Sequence, residues 1–147
     1  MRARSFACPF AFVTEYPDVV RAVVSDVGII TDITGTQVQA VRCKALWDTG
    51  AVYSVISNAF AAKLRLQEFD RGRNYTAQGS YETSVYLLSI VLPNGIVVPD
   101  LRVSSGEFQD FDFLLGMDVI LLGSRSNHGE MTIKAGAAEV AAPAVVI

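Results

Sequence analysis

The 147-residue chain holds one histidine, two cysteines and few charges, and each shortage closes off a kind of chemistry. His128 sits in the polar turn "SRSNHGE", far in sequence from either cysteine. A zinc site would therefore lack its His/Cys cluster, and a Ser-His-Asp arrangement would have to recruit a solvated turn residue. Cys8 and Cys43 form no Cys-x-x-Cys pair and no disulfide framework, and they read as buried free thiols in a reducing compartment. No apolar run is long enough to cross a bilayer. The net charge of −3 comes without a basic stripe, so neither a membrane nor a nucleic acid is an expected partner. In "MRARSFACPFAFV", Arg2 and Arg4 precede a short apolar stretch, but Glu15, Pro17 and Asp18 soon follow and no small-residue cleavage site is evident. The expectation is a cytoplasmic protein, with no metal and no cofactor.

What is abundant is apolar surface. Apolar residues make up 51% of the chain and charged residues only 18%. The length favours a single domain with a true core, and the apolar surplus points to a subunit interface. The dominant period is two. In "VQAVRCKALW", Val41, Cys43, Ala45 and Trp47 alternate with Arg42 and Lys44, as on a half-buried strand. "RAVVSDVGII" reads as a strand before it, and "TDITGT" has hairpin-turn chemistry through Asp32 and Gly35. "SVYLLSIVL" and "IVVPDLRV" flank Pro93-Asn94-Gly95, a strong hairpin signal. Phe111 and Phe113, alternating with Asp110 and Asp112, predict a further strand entering "LLG". "EMTIK" and the tail "AAEVAAPAVVI" read as late strands, with Pro143 near an edge. Helix is expected in short pieces only: "SNAFAAKLRLQ" with Ser57 as its N-cap, and a turn or two in "MDVILLG" stopped by Gly123.

Against this pattern one charge stands out. "KALWDTGAVYSVIS" carries an apolar run into Asp48 and resumes it at Val52, Val55 and Ile56. Gly50 can take backbone angles closed to other residues and let a ligand approach, while Thr49 can turn its hydroxyl back on the loop and steady the carboxylate. A second element, "FDFLLGMD", runs through Leu114 and Leu115 into Gly116, where the missing side chain permits close packing of strand against loop. Asp112 and Asp118 flank it. Asp112 alternates outward and Asp118 can cap the short helix, so a pairing of either with Asp48 inside one chain is the lesser reading.

Strand into Asp-Thr-Gly-Ala, a glycine-tipped hairpin, then apolar-apolar-Gly, in that order from about Val38 to Leu122, resembles the retropepsins, the single-domain aspartic proteases of retroviral type, and especially their bacterial relatives. The resemblance implies an all-β fold: a closed acid-protease-type β-barrel with one or two short helices, assembled as a two-fold homodimer. Residues 1–20 would be an N-terminal extension or strand, and residues 21–147 the single domain. It carries the catalytic motif onto Asp48, Thr49 and Gly50, with Thr49 bonding across to the equivalent loop of the second subunit. Ala51 and Val52 would contact substrate, as would Gln78, Gly79 and Ser80 at the tip of the mobile hairpin in "YTAQGSYET". Leu114, Leu115 and Gly116 would form the supporting motif. Many viral members pair an Asp after Asp-Thr-Gly-Ala with an Arg after the second-motif Gly; here those positions hold Val52 and Met117, so both partners are absent together.

The chain carries one Asp-Thr-Gly and is too short for a two-lobed arrangement. Activating water against an amide takes a base and an acid, and two adjacent carboxylates sharing one proton supply both, as in aspartic proteases generally. The second carboxylate is then Asp48 of another copy. The expected substrate is an extended peptide or protein cut between apolar residues, with Val52 and Ile56 lining subsites. The rival reading is a dimeric module of the same fold that grips peptides without turning them over.

Overall fold

The computed structural model describes Phe12, residues 16–31 and residues 39–122. The turn expected at Asp32 and Gly35, His128, Cys8, Gly123, "EMTIK" and the alanine-rich tail lie outside the described residues. Seven strands and two short helices follow in chain order: β1 (Val24–Ile30), β2 (Val41–Trp47), β3 (Val55–Ser57), α1 (Asn58–Lys63), β4 (Asp70–Thr76), β5 (Gly79–Val91), β6 (Val97–Gly106), β7 (Phe113–Leu115) and α2 (Met117–Ile120). They form one sheet in the order β1-β2-β7-β3-β6-β5-β4, and a further pairing of β1 with β5 closes six of the strands into a ring. β4 stays outside that ring, paired only with β5. The fold is the expected all-β barrel with two short helices.

Alternation explains the ring. Cys43, Ala45 and Trp47 of β2 point inward, as do Val27 and Ile29 of β1, and they meet Ile56, Ile90, Val103, Phe113 and Leu115 in one core. Each Val, Ile, Leu or Phe side chain among them stabilises the fold by about 1.5–3 kcal/mol on leaving water. Val41 departs from the expected pattern: at the first residue of β2 it sits on the rim and is exposed. Trp47 keeps its one polar atom satisfied by donating Nε1–H to Ser25 Oγ at 3.0 Å. Among the described residues, no helix is long and apolar enough to cross a membrane.

The turns follow their chemistry. Gly95 takes φ +82° in the β5–β6 hairpin and donates its N–H to Leu92 O at 2.8 Å, while Asn94 Oδ1 accepts from Ile96 N at 3.2 Å. Ser57 caps α1 by accepting from Phe60 N at 3.1 Å. The strand expected from Phe111 begins only at Phe113. Asp110 adopts φ +73°, which breaks the extended run, and Phe111 stacks on Phe108 at 5.1 Å instead. β4 has no apolar alternation and exists through its seven-residue register with β5, from Asp70↔Val85 to Thr76↔Gly79.

Candidate active site

The site is built where the chain crosses itself. β7 lies between β2 and β3, parallel to the first and antiparallel to the second. Residues 48–54, which link β2 to β3, must therefore pass over the end of β7. Asp48 leaves β2 with its N–H donated to Leu115 O at 3.0 Å. The far side of the loop is tied to the start of α2 by Met117 N to Ala51 O at 2.8 Å and Asp118 N to Val52 O at 3.1 Å. Leu115 and Gly116 thus sit directly beneath the Asp48–Ala51 turn.

Gly116 makes the crossing feasible. A Cβ there would lie 2.6 Å from Tyr53 C, 2.7 Å from Tyr53 O and 3.0 Å from Ala51 O, all backbone atoms. Gly50 serves a different purpose from the one expected. It does not use a left-handed backbone angle. A Cβ on it would instead come within 3.1 Å of Asp48 Oδ1, and its N–H donates to that oxygen at 2.8 Å. The glycine lets the backbone close onto the carboxylate.

Asp48 is half-buried, with Oδ1 held by Gly50 and Oδ2 without a partner among the described residues. Thr49 is exposed and makes no hydrogen bond among the described residues, so the loop is steadied by Gly50 and not by the Thr49 hydroxyl. Val52 stands 66% exposed beside the loop. Ile56, expected to line a subsite, is 0% exposed because β3 turns it into the barrel; it is core. Met117 packs half-buried against that core.

Two residues that sequence reasoning did not place in the site hold its loop. Ser54, fully buried, donates its hydroxyl to Asp118 Oδ1 at 2.7 Å and accepts from Gly116 N at 3.1 Å. Its own N–H donates to Asp118 Oδ2 at 2.9 Å. Asp118 also accepts from Val119 N at 2.9 Å, but the cap position of α2 belongs to Gly116, which corrects the expected capping role. Both carboxylate oxygens of Asp118 are occupied, and Asp112 Oδ2 accepts from the backbone N–H of Lys44 at 3.1 Å. Neither contacts Asp48. A serine buried between Tyr53 and Val55 in an apolar run was the available signal.

The β4–β5 hairpin carries Gln78, Gly79 and Ser80 at its tip. Its middle is tied to β6 by polar contacts: Thr83 Oγ1 donates to Ser105 O at 2.6 Å, and Asn74 Nδ2 donates to the same carbonyl at 3.3 Å. Among the described residues, no hydrogen bond joins the hairpin tip to the Asp48 loop. The described residues contain no group of His, Cys, Asp or Glu fit to hold a metal ion. On β2, burial and then the nearby charges of Asp112 and Asp26 push the Cys43 thiol up from 9.0 to about 12, so it stays a protonated, inert core group.

Residues 34–121 match the family described as gag-polyprotein putative aspartyl protease. The fold is similar to that of EIAV protease complexed with the inhibitor HBY-793, with a TM-score of 0.56 at 19% identity over 74% of this chain and 92% of that one. It is also similar to a retropepsin-like aspartic protease from Rickettsia conorii, with a TM-score of 0.50 at 19% identity over 80% of this chain and 97% of that one. At such identities the likeness speaks to the fold alone. Comparison with curated proteins finds no match.

Proposed function

Because the chain belongs to the family of gag-polyprotein putative aspartyl proteases, we propose that it is a retropepsin-type aspartic endopeptidase that works as a two-fold homodimer. The observation that carries this reading is the Asp48 loop. It offers one half-exposed carboxylate, fixed through Oδ1 and open at Oδ2, on a backbone clamped against Gly116. A single carboxylate so held can be a base or an acid, and amide hydrolysis by water needs both. The exposed Thr49 and Val52, with Leu121 and Leu122 exposed at the end of α2, leave that side of the molecule free to meet a second copy.

In the dimer the two Asp48 carboxyls share one proton, since like charges that close cannot both ionise. One takes a proton from the bound water while the other donates to the scissile carbonyl, giving a tetrahedral gem-diol. The proton then passes to the leaving nitrogen, the C–N bond breaks, and no covalent bond to the enzyme forms. Thr49 braces the paired loops, and Gly50 N–H holds each carboxylate in its rotamer. The hairpin tip at Gln78, Gly79 and Ser80 closes over an extended peptide and excludes water. Val52 and Ala51 line the subsites beside the carboxylates, favouring apolar side chains. Leu114, Leu115 and Gly116 support the loop from below. A cytoplasmic location is part of the proposal, supported by the free buried thiol of Cys43.

The test is cleavage of apolar peptides across acid pH by the wild-type chain and by Asp48→Asn. The proposal expects an acid optimum, and a loss of at least about 10³-fold in kcat for the variant. Peptide binding without cleavage at any pH would favour the non-catalytic module. Full activity in Asp48→Asn would overturn the catalytic assignment.

A further inference from the structure

The β4–β5 hairpin leaves the barrel where a strand ladder ends. β5 and β6 pair from Val91↔Val97 to Val85↔Ser104 and no farther. From Ser104 onward β6 is taken by β3, through Val55↔Ser104, Ile56↔Ser105 and Ser57↔Gly106. At this root Asp70, opposite Val85, accepts from Arg102 Nη2 at 2.7 Å. Beyond it the backbone of β5 pairs with β4 alone, out to Thr76↔Gly79. Burial stops just past the same level. Thr83 is the last buried residue of β5 towards the tip, and residues 79–82 are exposed. On β4, Asn74 is half-buried, while Tyr75 and Thr76 are exposed.

Where the ladder stops, side chains take over. Thr83 Oγ1 donates to Ser105 O at 2.6 Å. That bond uses its one proton, so in the 3.0 Å contact with Ser105 Oγ the serine is the donor. Asn74 Nδ2 has two protons: it donates to the same Ser105 O at 3.3 Å and to Tyr81 Oη at 3.4 Å. Tyr81 Oη stands close to Gly106, where a Cβ would come within 3.7 Å of it. The tip bonds within itself, Gln78 N donating to Thr76 Oγ1 at 3.3 Å and Thr76 Oγ1 to Gly79 O at 3.2 Å.

The result is a stiff ribbon resting on one carbonyl. Thr83 and Gly79 are four residues apart, about 13 Å along the strand, so a tilt of about 10° at Thr83 carries the tip about 2 Å. Ser105 also pairs with Ile56 of β3, the strand that follows the Asp48 loop. Hairpin and carboxylate loop therefore share a support.

We propose that Thr83 is a positioning residue for the hairpin: with Asn74 it grips Ser105 O as a fulcrum and sets how much of the time the tip at Gln78, Gly79 and Ser80 stands ready to close on a peptide. Its effect on cleavage rests on the peptidase reading; its effect on the hairpin does not. Losing the hydroxyl lowers the share of the closing-ready state, and apparent peptide affinity falls by the same factor. At saturating peptide the bound chain holds the hairpin down, so turnover is spared.

The experiment compares the full wild-type chain with Thr83→Val, which keeps the shape and removes the hydroxyl, and Thr83→Ser, which keeps the hydroxyl. Amide hydrogen exchange is read without substrate, and KM and kcat with a capped Ala-Val-Leu-Phe-Val-Ala peptide. Thr83→Val should speed exchange at residues 72–82 by roughly fivefold, the worth of one hydrogen bond, and leave β1 and β2 as they are. It should raise KM by roughly fivefold with kcat within about twofold of wild type. Thr83→Ser should restore both. Asn74→Ala, which loosens the same carbonyl from a half-buried position, should move both readouts in the same direction, and it decides the matter if Thr83→Val does not fold. Exchange unchanged in the hairpin, exchange faster throughout the barrel, or a serine variant as impaired as the valine one would overturn the proposal. So would a fall in kcat at unchanged KM. If the wild type cuts no apolar peptide at any pH, the catalytic reading fails, and the exchange rates alone decide whether Thr83 is the fulcrum.

Discussion

Replacing Gly116 with alanine tests the crossing of loop over strand, because the added methyl has nowhere to go. Its Cβ would sit 2.6 Å from Tyr53 C and 2.7 Å from Tyr53 O, against an ordinary carbon contact of about 3.5–4.0 Å. Gly116 has φ −88°, open to any residue, so the penalty is steric and not conformational. All the obstructing atoms are backbone, and no rotamer change relieves them. The loop must lift by roughly 1 Å, which costs about 1–3 kcal/mol as overpacking. Lifting also stretches the bonds from Met117 N to Ala51 O, from Asp118 N to Val52 O and from Gly116 N to Ser54 Oγ. Weakening these adds about 1–2 kcal/mol. The sum, about 2–5 kcal/mol, is to be read as a drop in urea midpoint at unchanged slope. A displaced Asp48 should also lower kcat by about 10²-fold. Gly72→Ala is the matched control. There the Cβ meets only side-chain methyls, Val85 Cγ2 at 2.9 Å and Thr83 Cγ2 at an ordinary 3.9 Å, and the closer one can shift, so the change should stay below about 1 kcal/mol. If Gly116→Ala were as stable as Gly72→Ala and as active as wild type, the clamped-loop argument would be wrong.

Three further expectations follow from the same geometry. Ser54→Ala removes the hydroxyl that serves both Asp118 and Gly116 N, leaving a buried donor unmet; chemical denaturation should show a loss of about 1–3 kcal/mol. Ser57→Ala should cost about 1 kcal/mol through the lost α1 cap and leave any catalytic pH profile in place. Cys43 should resist a thiol reagent at pH 8 in the folded protein and react on unfolding. Its folded pKa lies above the unfolded one, so stability is full below about pH 9 and falls as pH climbs from there towards 12; Cys43→Ala should flatten that alkaline slope.

Much of the barrel was legible because its strands obey a two-residue period and its turns use residues with a conformational reason to be there. Asn94-Gly95 and the Ser57 cap are such cases. Gly116 was legible as a close approach, since a glycine after two apolar strand residues has little other use. What failed to show was whatever depends on partners distant in sequence. Ile56 looked like a subsite residue because it follows Asp-Thr-Gly-Ala, but β3 is squeezed between β6 and β7 and buries it. Asp118 looked like a cap until Ser54, 64 residues earlier, proved to be its partner. The strand expected through Phe111 stopped at a local backbone angle of Asp110 that composition does not encode. β4 carries no periodic signal because its fold-making contacts are the backbone register with β5.

The central claim is that a working site takes one Asp48 from each of two copies. The most direct measurement is peptidase activity in mixtures of wild-type and Asp48→Asn chains, refolded together at fixed total concentration. Random pairing makes the fully competent dimer the square of the wild-type fraction, so an equal mixture should retain about a quarter of the activity. Retention of about half, in linear proportion to the wild-type chain, would mean that each copy works alone and would contradict the account.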